Sequence, residues 1–304
     1  MVPITHKSNT LRKAIAQAIV RVSKPETILA IRNRTVPKGD VLECARVAGL
    51  FAAKRTADMI PDCHPLPIEY TAVSYTLGEL ELHIQVEIHT IYKTGVEVEA
   101  MHAASVVALT VYDMLKPIDK GVSIEQIKLL EKKGGKSDRN AALGSPRNAA
   151  IVVCSDSLAA GKGEDRSGER IRELLLEGGL TVVDKRIVAD EVSAIQEAAR
   201  FFVGQGIDLL IFTGGTGLSP RDCTPEALEP LLDRRILGIE EAIRAYGQQR
   251  MPTAMLSRSL AGQIAETLVL ALPGSPAGAA EGIQAVFPAI LHAFVVMEGA
   301  RHEG

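Results

Sequence analysis

Residues 208–217 read DLLIFTGGTG, a short apolar run that leads directly into a glycine-rich turn. Two similar apolar runs occupy residues 149–154 (AAIVVC) and 268–272 (LVLAL). Helical patterns accompany these runs, at 167–177, 192–205, 225–233 and 276–298. Apolar strands that alternate with helices are typical of a parallel sheet buried on both faces. The second half of the chain is therefore predicted to be an α/β domain.

Polar and glycine-rich segments follow each of these predicted strands. They are Ser155-Asp156-Ser157, Thr213-Gly214-Gly215-Thr216-Gly217 and Pro273-Gly274-Ser275-Pro276. Ligands of parallel sheets bind at the carboxyl ends of the strands, and glycines there free backbone N–H groups to hold an anion. We therefore expect a phosphate-binding site at this edge of the sheet.

The segment SPRDCTPE, at residues 219–226, predicts a helix start beside the glycine-rich turn. Thr224 is the expected N-cap and Pro225 the first helical residue. A helix start next to such a turn suits a phosphate group. Asp222 either stabilises the helix start or holds Mg²⁺, which prefers carboxylate and phosphate oxygens. Asp190 presents the same two alternatives.

The first half shows a different pattern. Residues 79–90 (ELELHIQVEIHT) alternate apolar and polar side chains, which predicts a strand with one buried face. A partner strand is predicted at 70–76, with a turn at Leu77-Gly78. Helices are predicted at 11–21, 40–59 and 97–115. A hairpin flanked by helices favours an antiparallel sheet covered on one face.

A polar, glycine-containing segment separates the halves, with KKGGKSDRN at 132–140 and GSPR at 144–147. This composition is typical of a linker. We place one domain at 1–138, a linker at 139–148 and a second domain at 149–304. The charge also changes, because residues 1–140 carry 19 Lys and Arg against 16 Asp and Glu, whereas the remainder carries 15 against 21.

Two segments early in the first half each allow a structural and a functional interpretation. Lys38, which precedes a Gly-Asp pair, belongs either to an ordinary turn or to a phosphate site. Asp62-Cys63-His64 precedes Pro65, and it forms either a capped loop or a loop that presents a thiol and an imidazole to a ligand.

The same ambiguity holds for the predicted helix at 97–115. Glu97 and Glu99 either complement the helix dipole or line a site. Asp113 and Lys116 are spaced i,i+3, and they form either a surface ion pair or an acid/base pair beside a phosphate.

The composition of the 304 residues argues against several classes of protein. With 46% hydrophobic and 23% charged residues the chain is globular. A net charge of −3 and the absence of Trp argue against nucleic acid as a partner. No apolar run predicts a membrane span or signal peptide, and the four Cys form no CxxC motif. We therefore expect a cytoplasmic protein that binds small molecules and has no prosthetic group.

The motifs KGD, CHPLP, TGVEVEA, YDMLK and KKGGKSD, in this order between residues 38 and 138, resemble the cyclic pyranopterin monophosphate synthase family of molybdenum cofactor biosynthesis. The resemblance implies ferredoxin-like subunits in hexamers with sites at subunit interfaces. The implied lyase reaction converts a cyclised dihydro-GTP intermediate to cyclic pyranopterin monophosphate and pyrophosphate. Catalytic roles are implied for Asp113, Lys38, Lys116 and His64. Substrate contacts are implied for Asp62, Cys63, His64, Glu97, Val98 and Glu99, although Val98 stands where the family usually has Met.

In the second half, TGGTG followed by RDCTPE and LPGSP resembles the molybdopterin-binding fold, and most closely its molybdopterin adenylyltransferase branch. The implied domain is three-layered, Rossmann-like and typically trimeric. The implied reaction transfers AMP from Mg-ATP to the terminal phosphate of molybdopterin. Catalytic roles are implied for Asp190 and Asp222, of which Asp222 either holds Mg²⁺ or sets the geometry of the bound pterin, and Asp190 assists. Substrate contacts are implied for Ser155, Asp156, Thr213, Gly214, Gly215, Thr216, Gly217, Glu241, Ser257, Arg258, Pro273, Gly274 and Ser275.

The chain is thus expected to be a fusion of two enzymes that bind pterin and nucleotide substrates. A homo-oligomer with threefold symmetry, either a trimer or a hexamer, is compatible with both halves. In an alternative interpretation, the second half is a non-catalytic molybdopterin carrier or scaffold. A nicotinamide-dependent dehydrogenase is disfavoured because no GxGxxG motif follows the first apolar run of that half.

Overall fold

The computed structural model describes residues 1–135 and 147–299. The chain divides into two compact units, Met1–Asp138 and Arg139–Gly304. The linker predicted at 139–148 lies almost wholly outside the described residues and stays a prediction.

The first unit is an antiparallel sheet of four strands with helices. Its strands lie in the order β2-β3-β1-β4, and every neighbouring pair is antiparallel. In chain order its elements are β1 (Thr10–Arg21), α1 (Pro25–Arg32), α2 (Val41–Lys54), α3 (Thr56–Met59), β2 (Tyr70–Leu77), β3 (Glu81–Tyr92), α4 (Glu97–Leu115) and β4 (Ser123–Lys133).

The helix predicted at 11–21 is wrong, because this segment is β1, a central strand between β3 and β4. Ala14, Ala16, Ala18 and Val20 are buried at every second position, which is the period of a strand. The prediction at 40–59 is also corrected, since the helix breaks at Arg55 into α2 and α3. The hairpin and the helix at 97–115 are confirmed.

Helix α4 is the core helix of this unit. Nine of its residues are buried, and it packs against α2 and the sheet. By length and composition alone, α4 is apolar enough to cross a membrane, but its buried face is that of a helix in a globular core. Gly49 of α2 permits the close approach of the two helices, because a Cβ there would lie 2.4 Å from a methyl group of Val107.

The second unit is built on a mixed sheet of six strands in the order β6-β5-β7-β10-β9-β8. The first four are parallel, whereas β9 and β8 run antiparallel to their neighbours, so the expectation of a purely parallel sheet is corrected. Its elements are β5 (Asn148–Cys154), α5 (Asp156–Ala159), α6 (Arg166–Glu177), β6 (Thr181–Val188), α7 (Val192–Gly204), β7 (Leu209–Thr213), α8 (Thr224–Leu228), β8 (Arg234–Arg235), α9 (Leu237–Gln248), β9 (Leu260–Ile264), β10 (Thr267–Leu272), α10 (Pro276–Val286) and α11 (His292–Met297).

Both faces of this sheet are buried. Ile151 belongs to one apolar cluster together with residues of α6 and α10, and its neighbour Val152 belongs to another with residues of α7. The unit therefore has three layers.

Two predicted helices of this unit are shorter than expected. The helix predicted at 225–233 ends as α8 at Leu228 and continues as a 3₁₀ turn. The N-cap is Cys223 rather than Thr224, whose hydroxyl instead donates to the carbonyl of Gly214 at 2.9 Å. The helix predicted at 276–298 is interrupted after Val286, because Pro288 cannot continue it, and α11 follows.

Candidate active sites

The first candidate site is a cluster of Lys38, Asp113 and Lys116 in the first unit. Asp40 caps α2 by accepting from the N–H of Glu43 at 3.2 Å, which fixes the segment that carries Lys38. Lys38 Nζ lies 2.7 Å from one carboxylate oxygen of Asp113 and also donates to its backbone carbonyl at 2.9 Å. Lys116 Nζ lies 2.7 Å from the other carboxylate oxygen.

This cluster has strong electrostatic consequences. Hydrogen bonds from Lys116 and then Lys38 lower the pKa of Asp113 to about 2. The hydrogen bond to Asp113 in turn raises the pKa of Lys116. At neutral pH the cluster is therefore a carboxylate held between two donors, and both lysine side chains remain partly exposed to a ligand.

A second group surrounds the start of α4. The Cys63 thiol donates to Glu99 at 3.1 Å, and Glu99 is buried, with only 2% of its surface exposed. Its other carboxylate oxygen is buried and has no hydrogen-bond partner among the described residues. Burial raises the pKa of Glu99, and burial together with the bond to Glu99 raises the pKa of Cys63 to about 12.

The neighbours of this pair are more exposed. The ring of His64 lies 3.0 Å from the carbonyl of Val2. Asp62 pairs with the amino terminus at 3.0 Å, which lowers its pKa. Glu97 lies 3.7 Å from Lys132. Val98 is exposed on α4.

Within one chain, these two groups lie at opposite ends of α4. Glu99 is in the first turn of the helix and Asp113 is in the last. At a rise of 1.5 Å per residue, the 14 positions between them correspond to about 21 Å. The structure therefore divides the residues predicted for the first site into two separate groups.

The third candidate site lies at the carboxyl ends of β5, β7 and β10. Gly214 and Gly215 both have positive φ, of 103° and 61°. A Cβ on Gly214 would lie 2.1 Å from the carbonyl oxygen of Cys154, so only glycine fits beside the end of β5. Thr213 donates to the carbonyl of Pro273 at 2.8 Å, which ties the glycine-rich turn to the segment after β10.

Two aspartates flank this turn. A Cβ on Gly215 would lie 3.3 Å from Asp190 Oδ1, and one on Gly217 would lie 2.9 Å from Asp222 Oδ2. Asp190 and Asp156 accept from each other's backbone N–H groups at 3.1 and 3.0 Å. Asp190 Oδ1 is buried without a hydrogen-bond partner among the described residues. Burial, with the nearby charges of Asp156 and Asp222, raises the pKa of Asp190.

Arg258 connects several parts of this site. Its backbone N–H donates to Thr216, and its guanidinium donates to the carbonyls of Gly217 at 2.7 Å and Asp222 at 2.8 Å, and to Glu226. Because its donors contact acceptors of the protein itself, Arg258 positions the glycine-rich turn and the segment that follows it when no ligand is bound.

The remaining predicted residues differ in their surroundings. Ser257 lines the cavity described below and lies 3.0 Å from the hydroxyl of Ser259. Ser155 and Ser275 cap α5 and α10. Glu241 is exposed on α9, whereas its neighbour Glu240 is buried and paired with Arg235.

A cavity of about 420 Å³ adjoins the turn. Its lining includes Gly215, Thr216, Gly217, Asp222, Ser257, Pro273 and Gly274 of the predicted set. Leu218, Thr253 and Leu256 also line it and were not predicted. Thr253 and Leu256 belong to a 3₁₀ turn, Pro252–Leu256, which has no distinctive sequence pattern.

Among residues 1–135 and 147–299, no three His, Cys, Asp or Glu side chains form a group that could hold a metal ion by themselves. Mg²⁺ in nucleotide sites needs only one or two carboxylates, because substrate phosphates supply further oxygens. Asp222 and the unpartnered oxygen of Asp190 flank the turn and fit this requirement.

These features define a protein of two units that both present groups suited to phosphorylated small molecules. The MoaC family matches residues 1–135, and the family described as "Probable molybdopterin binding domain" matches residues 150–292. The chain belongs to the family of bifunctional molybdenum cofactor biosynthesis proteins.

Three similar proteins illustrate this relationship. The chain is 42% identical over 302 residues to the molybdenum cofactor biosynthesis bifunctional protein of Chlorobaculum tepidum. The aligned region covers 99% of this chain and 96% of that protein. It is 48% identical over 139 residues to the cyclic pyranopterin monophosphate synthase of Thermomicrobium roseum, across 45% of this chain and 83% of that protein. Among solved structures, the crystal structure of the molybdopterin biosynthesis enzyme MoaB from Thermus thermophilus has 41% sequence identity to this chain in the matched region. The match covers 51% of this chain and 98% of the MoaB chain, with a TM-score of 0.48.

Proposed function

We propose that the first unit is a cyclic pyranopterin monophosphate synthase. The observation that carries this proposal is the cluster of Lys38, Asp113 and Lys116, in which one carboxylate holds two ammonium groups 2.7 Å away. The substrate is a cyclised dihydro-GTP intermediate. A hydroxyl group of the intermediate attacks the α-phosphorus and gives up its proton to a base, the α–β phosphoanhydride bond breaks, and pyrophosphate leaves.

The electrostatics of the cluster assign a role to each member. Lys116, with its raised pKa, stays protonated and neutralises charge that develops on the leaving phosphates. When phosphates draw Lys38 and Lys116 away, Asp113 loses the hydrogen bonds that lower its pKa. Its carboxylate then becomes a stronger base, able to move a proton during the ring rearrangement.

We further propose that this site is shared between copies in a homo-oligomer with threefold symmetry. Glu99, which the Cys63 thiol contacts, lies about 21 Å from Asp113 along α4, too far for both to act on one small substrate within one chain. The β-α-β-β-α-β order of the elements supports a ferredoxin-like fold for this unit.

The test supplies the cyclised dihydro-GTP intermediate and follows cyclic pyranopterin monophosphate and pyrophosphate together. We expect both products from the natural chain. With Asp113→Asn we expect a rate lower by about two to four orders of magnitude, the usual range for a lost acid–base group. Asp58→Asn is the matched control, because Asp58 is exposed on α3. Equal rates for the two variants would contradict the role of Asp113.

We propose that the second unit adenylylates molybdopterin. The carrying observation is the cavity beside Gly215–Gly217, flanked by Asp190 and Asp222. The terminal phosphate of molybdopterin attacks the α-phosphorus of ATP, the α–β bond breaks, and pyrophosphate leaves. Mg²⁺ accompanies ATP and supplies charge neutralisation for the phosphates, held by Asp222 with Asp190 beside it.

This proposal is tested with molybdopterin and Mg-ATP, by following adenylylated molybdopterin and pyrophosphate. Asp222→Asn is expected to abolish product while leaving the exposed-surface control Asp233→Asn active. Bound molybdopterin without any product from the natural chain would instead support a carrier or scaffold.

A further inference from the structure

Arg221 differs from the other arginine near the glycine-rich turn of the second unit. Its side chain is 72% exposed, and among the residues that the structure describes its guanidinium contacts one acceptor, a carboxylate oxygen of Asp156. Arg258, in contrast, donates to three acceptors of the protein. An ion pair this exposed contributes little to stability, because water and salt screen it. Arg221 can therefore leave Asp156 at a low cost in free energy.

The surroundings of Arg221 carry several negative charges. Asp156 follows β5, Asp190 follows β6, and Asp222 comes directly after Arg221 in the chain. Burial raises the pKa of Asp190 and the charges of Asp156 and Asp222 raise it further, whereas the charge of Arg221 lowers it. The guanidinium thus acts on Asp190 as well as on Asp156. Such a group of carboxylates would repel a triphosphate unless positive charge accompanied it.

The segment that carries Arg221 is fixed by contacts of its own backbone. The N–H of Asp222 donates to the carbonyl of Ser219 at 2.9 Å, and the N–H of Ser219 donates to the Asp222 carboxylate at 2.8 Å. The N–H of Arg221 donates to the Ser219 hydroxyl at 3.3 Å. These contacts hold the backbone of Arg221 next to the cavity, which Asp222 lines. Only the side chain of Arg221 then has to move to reach a ligand there.

Asp156 keeps other partners when Arg221 leaves. Its Oδ1 accepts from the N–H of Asp190 at 3.0 Å, whereas Arg221 contacts its Oδ2. Its own N–H donates to the Asp190 carboxylate at 3.1 Å. This reciprocal pair holds Asp190 in place whether or not Arg221 is on Asp156.

We infer that Arg221 exchanges Asp156 for the β- and γ-phosphates of ATP, and that Asp156 holds the guanidinium until the nucleotide binds. A guanidinium presents paired, planar donors that match the oxygens of a phosphate group. When the α–β bond breaks, negative charge builds on the leaving pyrophosphate, and Arg221 neutralises part of it. The inference deepens the proposed adenylylation and rests on it for the identity of the nucleotide. The ion pair and its exposure stand on their own.

Nucleotide binding to the full-length chain tests the contact without any turnover. By isothermal calorimetry, we expect Arg221→Met to weaken Mg-ATP binding by about tenfold or more, the equivalent of one lost hydrogen bond to a charged group. AMP lacks the leaving phosphates and should bind to both chains equally well. Arg170→Met is the control, because Arg170 pairs with Glu173 on α6 at 2.6 Å and does not line the cavity. Unchanged Mg-ATP affinity in Arg221→Met, or an equal loss with AMP, would overturn the inference.

A double-mutant cycle tests whether Arg221 gives up Asp156. Asp156→Asn retains an oxygen that can accept from Asp190 but removes the carboxylate that Arg221 contacts. We expect Asp156→Asn to bind Mg-ATP more tightly than the natural chain, because no carboxylate competes for the guanidinium. The same substitution should give a smaller gain in the Arg221→Met background. Equal gains in the two backgrounds would show that Arg221 stays on Asp156 and would contradict the exchange.

Turnover separates this inference from the proposed function. With molybdopterin and Mg-ATP, we expect Arg221→Met to lower kcat by about two to three orders of magnitude, the usual range for a lost group that stabilises transition-state charge. Arg221→Lys should recover part of this loss, because it keeps the charge without the paired donors. A normal kcat in Arg221→Met would overturn the role of Arg221 in the reaction. A natural chain whose Mg-ATP affinity depends on Arg221 but that makes no product would reject the adenylylation alone.

Discussion

Asp113 accepts a hydrogen bond on each carboxylate oxygen, from Lys116 and Lys38, and its pKa falls to about 2. A lowered carboxyl pKa means that the pairing favours the folded state above the ordinary value near 3.8. That contribution disappears as the pH falls through about 2. Replacing either lysine by Met removes one hydrogen bond, so we expect the pKa of Asp113 to rise in each variant, and more for Lys116→Met.

The measurement is a carbon NMR titration of the Asp113 carboxyl group in the natural chain and the two variants. Asp58→Asn, an exposed position on α3, serves as the control variant, in which the Asp113 midpoint should stay as in the natural chain. An unchanged Asp113 midpoint in both lysine variants would show that the cluster does not persist in solution.

Arg258 donates to two backbone carbonyls, of Gly217 and Asp222, and to Glu226. Lysine keeps the charge but cannot direct planar donors to three acceptors. We expect Arg258→Lys to loosen the turn and weaken ATP binding by about tenfold or more, the equivalent of one lost charged hydrogen bond. Isothermal calorimetry with Mg-ATP measures this.

Arg200→Lys provides the matched control, because Arg200 is on α7 and contacts only its helix neighbour Gln196 among the described hydrogen bonds. Equal affinities for the two variants would show that Arg258 does not position the site.

The residue types of both sites could be predicted from the sequence, but their contacts could not. Motif order pointed to Lys38, Asp113 and Lys116, which do lie together. The sequence around Arg258 does not indicate that its guanidinium donates to the carbonyls of Gly217 and Asp222, some 40 positions earlier in the chain. The distance between Glu99 and Asp113 can be calculated only once α4 is known to be one continuous helix.

At the scale of secondary structure, the prediction of helix or strand failed in a segment dominated by small residues. Residues 11–21 contain alanines and isoleucines at spacings that fit a helix, yet the segment is the central strand β1. Tertiary context decides here, because β1 lies between two strands and its alanines let α4 approach the sheet. Strand β6 was not predicted, since Asp184, Lys185 and Arg186 interrupt its apolar pattern at the sheet edge.

The contact of α2 with α4 gives a prediction about elements. Gly49→Val would place a side chain against the buried Val107, 2.4 Å from the new Cβ. Overpacking of this kind costs about 1–3 kcal/mol, and we expect that loss of unfolding free energy in the first unit. Differential scanning calorimetry should show a lower transition temperature.

Two variants sharpen this test. Adding Val107→Ala to Gly49→Val makes room for the new side chain and should recover part of the loss. Gly204→Ala on α7 meets nothing within 4 Å and is expected to be neutral or slightly stabilising. Loss of stability in Gly204→Ala equal to that in Gly49→Val would contradict the packing argument.

At the scale of the whole molecule, each unit has its own apolar core. One cluster is drawn from residues 14–122 and two others from residues 149–294. Units with separate cores generally fold independently. We therefore expect calorimetry to show two unfolding transitions, of which Gly49→Val lowers only one.

The same independence predicts the behaviour of the separated units. Residues 1–138 and 139–304, produced as two chains, are each expected to fold, and the proposed synthase and adenylyltransferase activities should partition between them without loss of kcat. The product proposed for the first unit, cyclic pyranopterin monophosphate, is not the substrate proposed for the second unit, molybdopterin, so no transfer between the sites is needed. A synthase rate that falls on separation, and returns when the second chain is added, would instead show that the second unit supports the activity of the first.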